Sequence, residues 1–497
     1  MGIGTVLKGG LWLYVGSILF SFLGLFYWVI ASFYINPSIV GTAAAILSFE
    51  VLIITIISLG VPRGIQRFFG NSWGNGRLEE LSTYLSAGLF YLCIVCIPVV
   101  AFFYVFPEMT LGIIGLNTTM ILFLCILILL DFWAPLFYSL FKSVMKAETA
   151  AYADISLSIV KLVIGFVLLS NGYGIVGVLS SFVVGSLARD LLLLYKANKL
   201  FKKNQLKRFR QPTLPIVKKV IHAGTANWLP NTLLVIGQAI GVLFLYGAVS
   251  DYETGLYFLA FSISMIVYNL PDSIFGLMFP YLSGLSKNRD KATSWALRIS
   301  LAATVTPSLI LFVYSSLPFM MLGSNYVGGI DILKVFVLGA TVYPIVSNYI
   351  NYAYAEGKYL HVAMIGIVGT IFRLVLYFIL GQAMGAIGVA IAYICGIFVS
   401  LVPVYISSKA LKFTHDGITY LKALLLPSLV SIILIIFQIP WLVGIPTLLF
   451  STIFLYTRFH VINKTDLVEI AQTFLSKESV AKIAIYTSPI IKILFND

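Results

Sequence analysis

The sequence predicts an all-α integral membrane protein with 14 transmembrane helices, arranged as two parallel six-helix repeats followed by two C-terminal helices. Three observations lead there. Of 497 residues, 60% are hydrophobic and 10% charged. No soluble core needs so much apolar side chain, and it falls in runs of about 20 residues, the length that crosses a bilayer as a helix. The cations alternate from loop to loop, as the positive-inside rule requires. Finally, the first and second halves carry the same glycines in the same order.

The apolar runs lie at roughly 11–35, 39–60, 82–106, 115–140, 150–170, 174–195, 223–249, 255–280, 296–322, 331–353, 360–380, 385–406, 420–438 and 440–457. The first, third and fifth connections, near Asn36, Glu108 and Gly172, carry no Lys or Arg. The second carries Arg63, Arg67 and Arg77, the fourth Lys142 and Lys146, and the sixth, KANKLFKKNQLKRFRQPTLPIVKK, nine cations and no acid. Lys287, Arg289 and Lys291 follow in the eighth, Lys358 in the tenth, and Lys409, Lys412 and Lys422 in the twelfth. All but three of the 32 Lys and Arg thus lie on one side, the exceptions being Lys161, Lys334 and Arg373. This predicts the cytoplasmic membrane with both termini cytoplasmic. The net charge of +13 is spent beside an anionic leaflet, so nucleic acid is not the expected partner. The expected segments are 1–195, a basic linker 196–222, 223–406, helices 13 and 14 over 407–457, and an amphipathic cytoplasmic tail 458–497.

The repeat lays Gly10 on Gly224, Gly41 on Gly255 and Gly70 on Gly284, each 214 residues on. Later, Gly174-Ile-Val-Gly-Val matches Gly385-Ala-Ile-Gly-Val, and Gly185 matches Gly396. Six spans per copy insert both copies in the same direction. That is the plan of alternating-access transporters, with the substrate site between the halves.

Polar residues inside the membrane mark the candidate site. Asn227, Asn231 and Gln238 share a face of span 7, and Asn269 and Asp272 share one of span 8. With the small face of span 1 (Ser17, Ser21, Gly24, Trp28), spans 1, 2, 7 and 8 are expected to line a cavity; the other reading is interhelical hydrogen bonding and close packing. Lys161 and Arg373 lie mid-span at matching positions of helices 5 and 11. A cation there costs at least about 2.5–3.5 kcal/mol. It implies either an anion site, such as one for phosphate, or a structural pair, Lys161 with Asp131 or Asp154. Glu50 in span 2 could hold a coupling ion, H+ or Na+, orient a sugar hydroxyl, or bond a neighbouring helix. Arg63 and Arg67 sit at the inner end of span 2 as topology anchors or phosphate captors. The four Cys (Cys93, Cys96, Cys125, Cys395) lie in apolar runs and read as packing residues. No catalytic, nucleotide-binding or metal motif is present in the sequence, so neither an enzyme nor a resident cofactor is expected.

The opening segment LKGGLWLYVGSILFSFLGLFYWVI, the Asn36-Pro-Ser-Ile-Val-Gly41 step, the Gly60-Val-Pro-Arg63 exit and the stretch KLVIGFVLLSNGYGIVGVLSSFVVG are similar to polysaccharide-transport (Wzx-like) proteins of the MOP flippase superfamily. Lys464-Thr-Asp-Leu resembles archaeal members. The resemblance implies a MATE-like fold and a flippase for lipid-linked oligosaccharide, with membrane lipids and glycan-assembly proteins as partners. It would place the family's cationic cavity at Lys161 and Arg373. Unlike the cation-coupled drug exporters of the superfamily, spans 1 and 7 contain no carboxylate. A multidrug exporter of the same fold and a membrane scaffold for glycan synthesis remain the competing readings.

Overall fold

The computed structural model describes residues 3–108, 117–206, 210–284, 289–410, 416–466 and 495, and every regular element among them is helical. In order, these are α1 (Ile3–Ser32), α2 (Pro37–Ile57), α3 (Val61–Gly74), α4 (Leu78–Val105), α5 (Thr118–Asp131), α6 (Ala134–Ser143), α7 (Ala147–Ser170) and α8 (Gly174–Lys203). After the basic linker come α9 (Leu214–Ala248), α10 (Asp251–Gly284), α11 (Arg289–Val313), α12 (Ser316–Leu322), α13 (Gly329–Ala355), α14 (Tyr359–Ala410), α15 (Gly417–Ile436) and α16 (Trp441–Arg458). Among the described residues, eleven helices are long and apolar enough to cross a membrane, and two shorter apolar helices, Leu19–Ser32 and Thr232–Ala248, join them. The protein is therefore a multi-pass membrane protein. The tail beyond Asp466, read as an amphipathic helix, lies outside the described residues apart from residue 495.

Local chemistry sets the breaks. Asn36 starts α2 by accepting a hydrogen bond from the Ile39 amide at 3.1 Å, with Pro37 in the first turn, where its missing N–H costs nothing. Gly60, at φ 68°, ends the span before Pro62 opens α3. Gly385, at φ 59° and ψ −137°, divides the 52 residues of α14 into two helical segments. The Glu253 carboxylate accepts a hydrogen bond from the Ala386 amide and so caps the second of them.

Most of α2–α8 shares one core, including Phe69, Phe132, Leu136 and Phe141. The second core, with Tyr257, Phe336 and Tyr377, draws in Tyr27 and Trp28 of α1 and the start of α2. The C-terminal α15 and α16 pack on α11. The Arg298 guanidinium donates to both Asp466 oxygens at 2.8 Å, fixing the chain after α16 to α11.

The two halves touch backbone to backbone. A Cβ on Gly41 would lie 1.9 Å from the Asp251 carbonyl oxygen, and one on Gly255 would lie 1.9 Å from that of Pro37. On the side of the basic loops, Gly64 and Gly224 also approach backbone to backbone, with a Gly64 Cβ 2.4 Å from the Gly224 nitrogen. Gly41→Ala is therefore expected to force α2 off α10 at a cost of roughly 1–3 kcal/mol, the usual range for overpacking. A lowered thermal midpoint of the purified protein checks this.

Candidate functional site

A cavity of about 320 Å³ opens among α9, α10, α13 and α14, and Arg63 reaches it from α3 in the first half. Its polar lining is Arg63, Asp272, Tyr343, Ser347, Asn351, Tyr354, Thr370, Arg373 and Ser400. Arg373 is its innermost charge, only 6% exposed. The guanidinium lies over the Tyr393 ring at 4.1 Å, and Gln238 hydrogen-bonds that tyrosine. Glycines make the slot. A Cβ on Gly237 would meet Nη1 at 2.7 Å, and one on Gly396 would meet Nε at 2.9 Å. Among the described residues Nε finds no acceptor. A buried guanidinium with an orphan donor is costly in a low dielectric, and a planar oxyanion matches its fork.

Asp272 lies in the same cavity without an ion pair to Arg373. Its carboxylate accepts hydrogen bonds from the Ser347 hydroxyl and from the Tyr343 hydroxyl at 3.2 Å. Asn351 donates to the Ser347 carbonyl at 2.8 Å. The cavity thus offers a cationic fork and, separately, a carboxylate with hydroxyls around it. It can hold an anion on the guanidinium and accept hydrogen bonds from hydroxyl groups on the carboxylate. A larger groove of about 630 Å³, between α4, α6 and α8, is lined mainly by apolar side chains such as Leu85, Trp133 and Phe137. It carries no cation, so the smaller cavity is the candidate.

The first half holds further buried charges away from this cavity. The Lys161 ammonium, 4% exposed, lies over the Phe182 ring at 4.4 Å and the Tyr27 ring at 4.9 Å. Neither expected partner takes it. Asp154 accepts a short hydrogen bond from Tyr138, and Asp131 pairs with Arg189 at 2.9 Å. Arg189 also pairs with Asp190 at 2.8 Å, and the Glu50 carboxyl, 2% exposed, lies beside Asp131. Among the described residues no group of His, Cys, Asp or Glu is placed to hold a metal ion.

The structure therefore brings Arg63, Asp272 and Arg373 together, with Gln238 behind them. It sets Glu50 and Lys161 in the first bundle, and Arg67 and Asn269 outside the described lining. The side chains of Asn227, Asn231 and Ser17 lie outside those described. The lining comes from spans 10, 11 and 12 more than from the expected spans 1, 2, 7 and 8. The polar face of α13 is a signal that the sequence carries and the expected lining omits: Tyr343, Ser347 and Asn351 recur every four residues, within about 80° of arc. Arg189 groups with the loop cations in the sequence because it stands near a basic helix end; only packing shows it buried beside three acids.

The sequence matches the model of the polysaccharide biosynthesis protein family over residues 6–286. A search of curated proteins finds no match. Among solved structures, the fold resembles that of the lipid II flippase MurJ in an inward closed conformation. The TM-score is 0.74 at 16% identity, over 90% of this chain and 98% of that one. It also resembles an inward-facing multidrug resistance MATE family transporter of the MOP superfamily, with TM-score 0.63, 14% identity, and 83% and 96% covered. The MATE multidrug transporter DinF-BH gives 0.61 at 15% identity, with 82% and 95% covered. At such identities these likenesses speak to the fold, and the family rests on the sequence match, which spans more than half of the chain: the protein belongs to the polysaccharide biosynthesis protein family.

Proposed function

We propose that the protein is a flippase that moves a lipid-linked oligosaccharide across the cytoplasmic membrane by alternating access. The observation that carries this reading is Arg373, a buried guanidinium with an unmet donor, in one cavity with Arg63 and the hydroxyl-bonded Asp272. A polyprenyl phosphate or diphosphate sugar presents an oxyanion next to hydroxyls, and neither crosses hydrocarbon unpaired. The tail stays in the bilayer while the head group enters from the side of the basic loops, taken here as cytoplasmic with both termini.

Dividing α14 at Gly385 and counting the two shorter apolar helices would give fourteen crossings, the number this reading requires. The reciprocal contacts of Gly41 and Gly255 obey the offset of 214, since Pro37 and Asp251 do as well (255 minus 41, 251 minus 37). Two six-helix bundles, 1–195 and 223–406, would then rock about that contact, tethered by the basic linker 196–222. Glycan-assembly proteins would supply the cargo, and H+ or Na+ would drive it.

The test is a strain lacking the gene. It is expected to accumulate lipid-linked sugar on the cytoplasmic side and lose surface glycan, with the wild-type gene restoring both. Normal surface glycan without accumulation would overturn the reading. Lost drug resistance in that strain would point instead to the multidrug exporter of the same fold.

A further inference from the structure

Lys161 has no place in the cavity just described, yet its surroundings repeat those of Arg373. The two cations stand 212 residues apart (373 minus 161). Lys161 lies over Phe182 and Arg373 over Tyr393, and those rings stand 211 apart (393 minus 182). A Cβ on Gly185 would lie 3.2 Å from the Lys161 Cβ, and one on Gly396 would lie 3.1 Å from the Arg373 Cβ. Each half therefore sets a buried cation over the matching ring and beside the matching glycine.

The covers differ. In the first half, Tyr27 of α1 lies over Gly165 of α7; a Cβ on Gly165 would meet the Tyr27 ring at 2.5 Å. In the second half the residue types are exchanged. Gly241 of α9 takes the place of Tyr27, and Tyr377 of α14 takes that of Gly165, with a Gly241 Cβ 3.1 Å from the Tyr377 ring. The Arg373 tyrosine thus rides on the same helix as its cation, and the guanidinium stays open to the cavity. The Lys161 tyrosine comes from another helix. It is held shut by a hydrogen bond with Ser181 at 2.8 Å and by edge-to-face contact with Trp28. Trp28 in turn packs edge to face on Phe258 of α10, at 5.4 Å, across the seam between the halves.

Among the described residues no carboxylate pairs with Lys161, so its ammonium rests on π faces alone. Such a group has all three donors available to an anion once Tyr27 lifts. α1 bears both Tyr27 and the seam residue Trp28, so movement of the halves apart at Trp28–Phe258 lifts the lid.

We propose that Lys161 is a second anion-binding station, for the phosphate of the lipid carrier, closed by Tyr27 in this conformation and uncovered when the seam opens. This rests on the flippase reading above. The probe is farnesyl diphosphate, added to the purified full-length protein and to K161M and K161R. Methionine fills the space between the rings without a charge. K161M is expected to unfold at or above the wild-type temperature, to bind the probe at least about tenfold more weakly, and to fail in glycan export. K161R is expected to retain binding and export. Equal binding and export by K161M would overturn the proposal and leave Lys161 a packing residue.

A second measurement does not depend on the variants folding. In the wild-type protein, a membrane-permeant amine-acylating reagent is expected to modify Lys161, read by peptide mass spectrometry, and the probe to block it. No acylation, or acylation that the probe leaves unchanged, would overturn the proposal. A wild-type gene that fails to restore export would count against the flippase reading alone, since binding and acylation still decide the role of Lys161.

Discussion

Arg373→Met is expected to abolish glycan export while leaving the protein folded and at least as stable as wild type. The guanidinium is 6% exposed, and among the described residues its Nε is unpartnered, so removing it deletes an unfavourable burial rather than a bond. What disappears is the fork that a phosphate would meet. A charge-assisted hydrogen bond contributes about 1.5–3 kcal/mol. Losing a bidentate pair therefore lowers flux by on the order of 100-fold or more. Lysine in its place keeps the charge but not the fork, and should recover only part of the flux. Initial rates of head-group translocation in proteoliposomes, with thermal unfolding measured on the same preparations, check both halves of this expectation. A variant that is destabilised but still transports would make Arg373 a structural residue.

Arg189→Met is expected to do the reverse. Arg189 is as buried as Arg373, but it holds Asp131 at 2.9 Å and Asp190 at 2.8 Å, with Glu50 lying beside Asp131 behind them. Deleting the cation leaves carboxylates facing one another inside the bundle. Breaking a buried pair from one side costs about 3–5 kcal/mol. The variant should accumulate poorly and unfold at a markedly lower temperature. Neutralising the acids as well, in Arg189→Met/Asp131→Asn/Asp190→Asn, should recover much of the loss. Unfolding of the single and triple variants in detergent measures it.

These two arginines also show where sequence reading stops. Both are single cations near or within apolar runs; the Asp190 that follows Arg189 is visible in the linear pattern, but the pairing with Asp131, 58 residues away, is not. Distance from the helix end assigns Arg373 to the membrane, and the same rule assigns Arg189 to the loops. By sequence, Glu50 is the acid nearest the expected cavity. The fold turns it instead toward Asp131, because α2 presents that face to its own bundle. For α13, by contrast, the signal is present: Tyr343, Ser347 and Asn351 are spaced as a helical stripe, the same pattern that singles out span 7.

The chain's apolar runs and its alternating loop charges by themselves determine a multi-pass helical protein. They do so because bilayer thickness and backbone hydrogen bonding leave few ways to place such a sequence. Which polar groups meet was decided only in three dimensions. Gly237 and Gly396 admit the Arg373 guanidinium, Tyr27 closes over Lys161, and Asp272 turns to Ser347 rather than to a cation. Each of these depends on how two helices distant in the chain are rotated against one another. That rotation follows from close packing of side chains, which no single helix specifies alone.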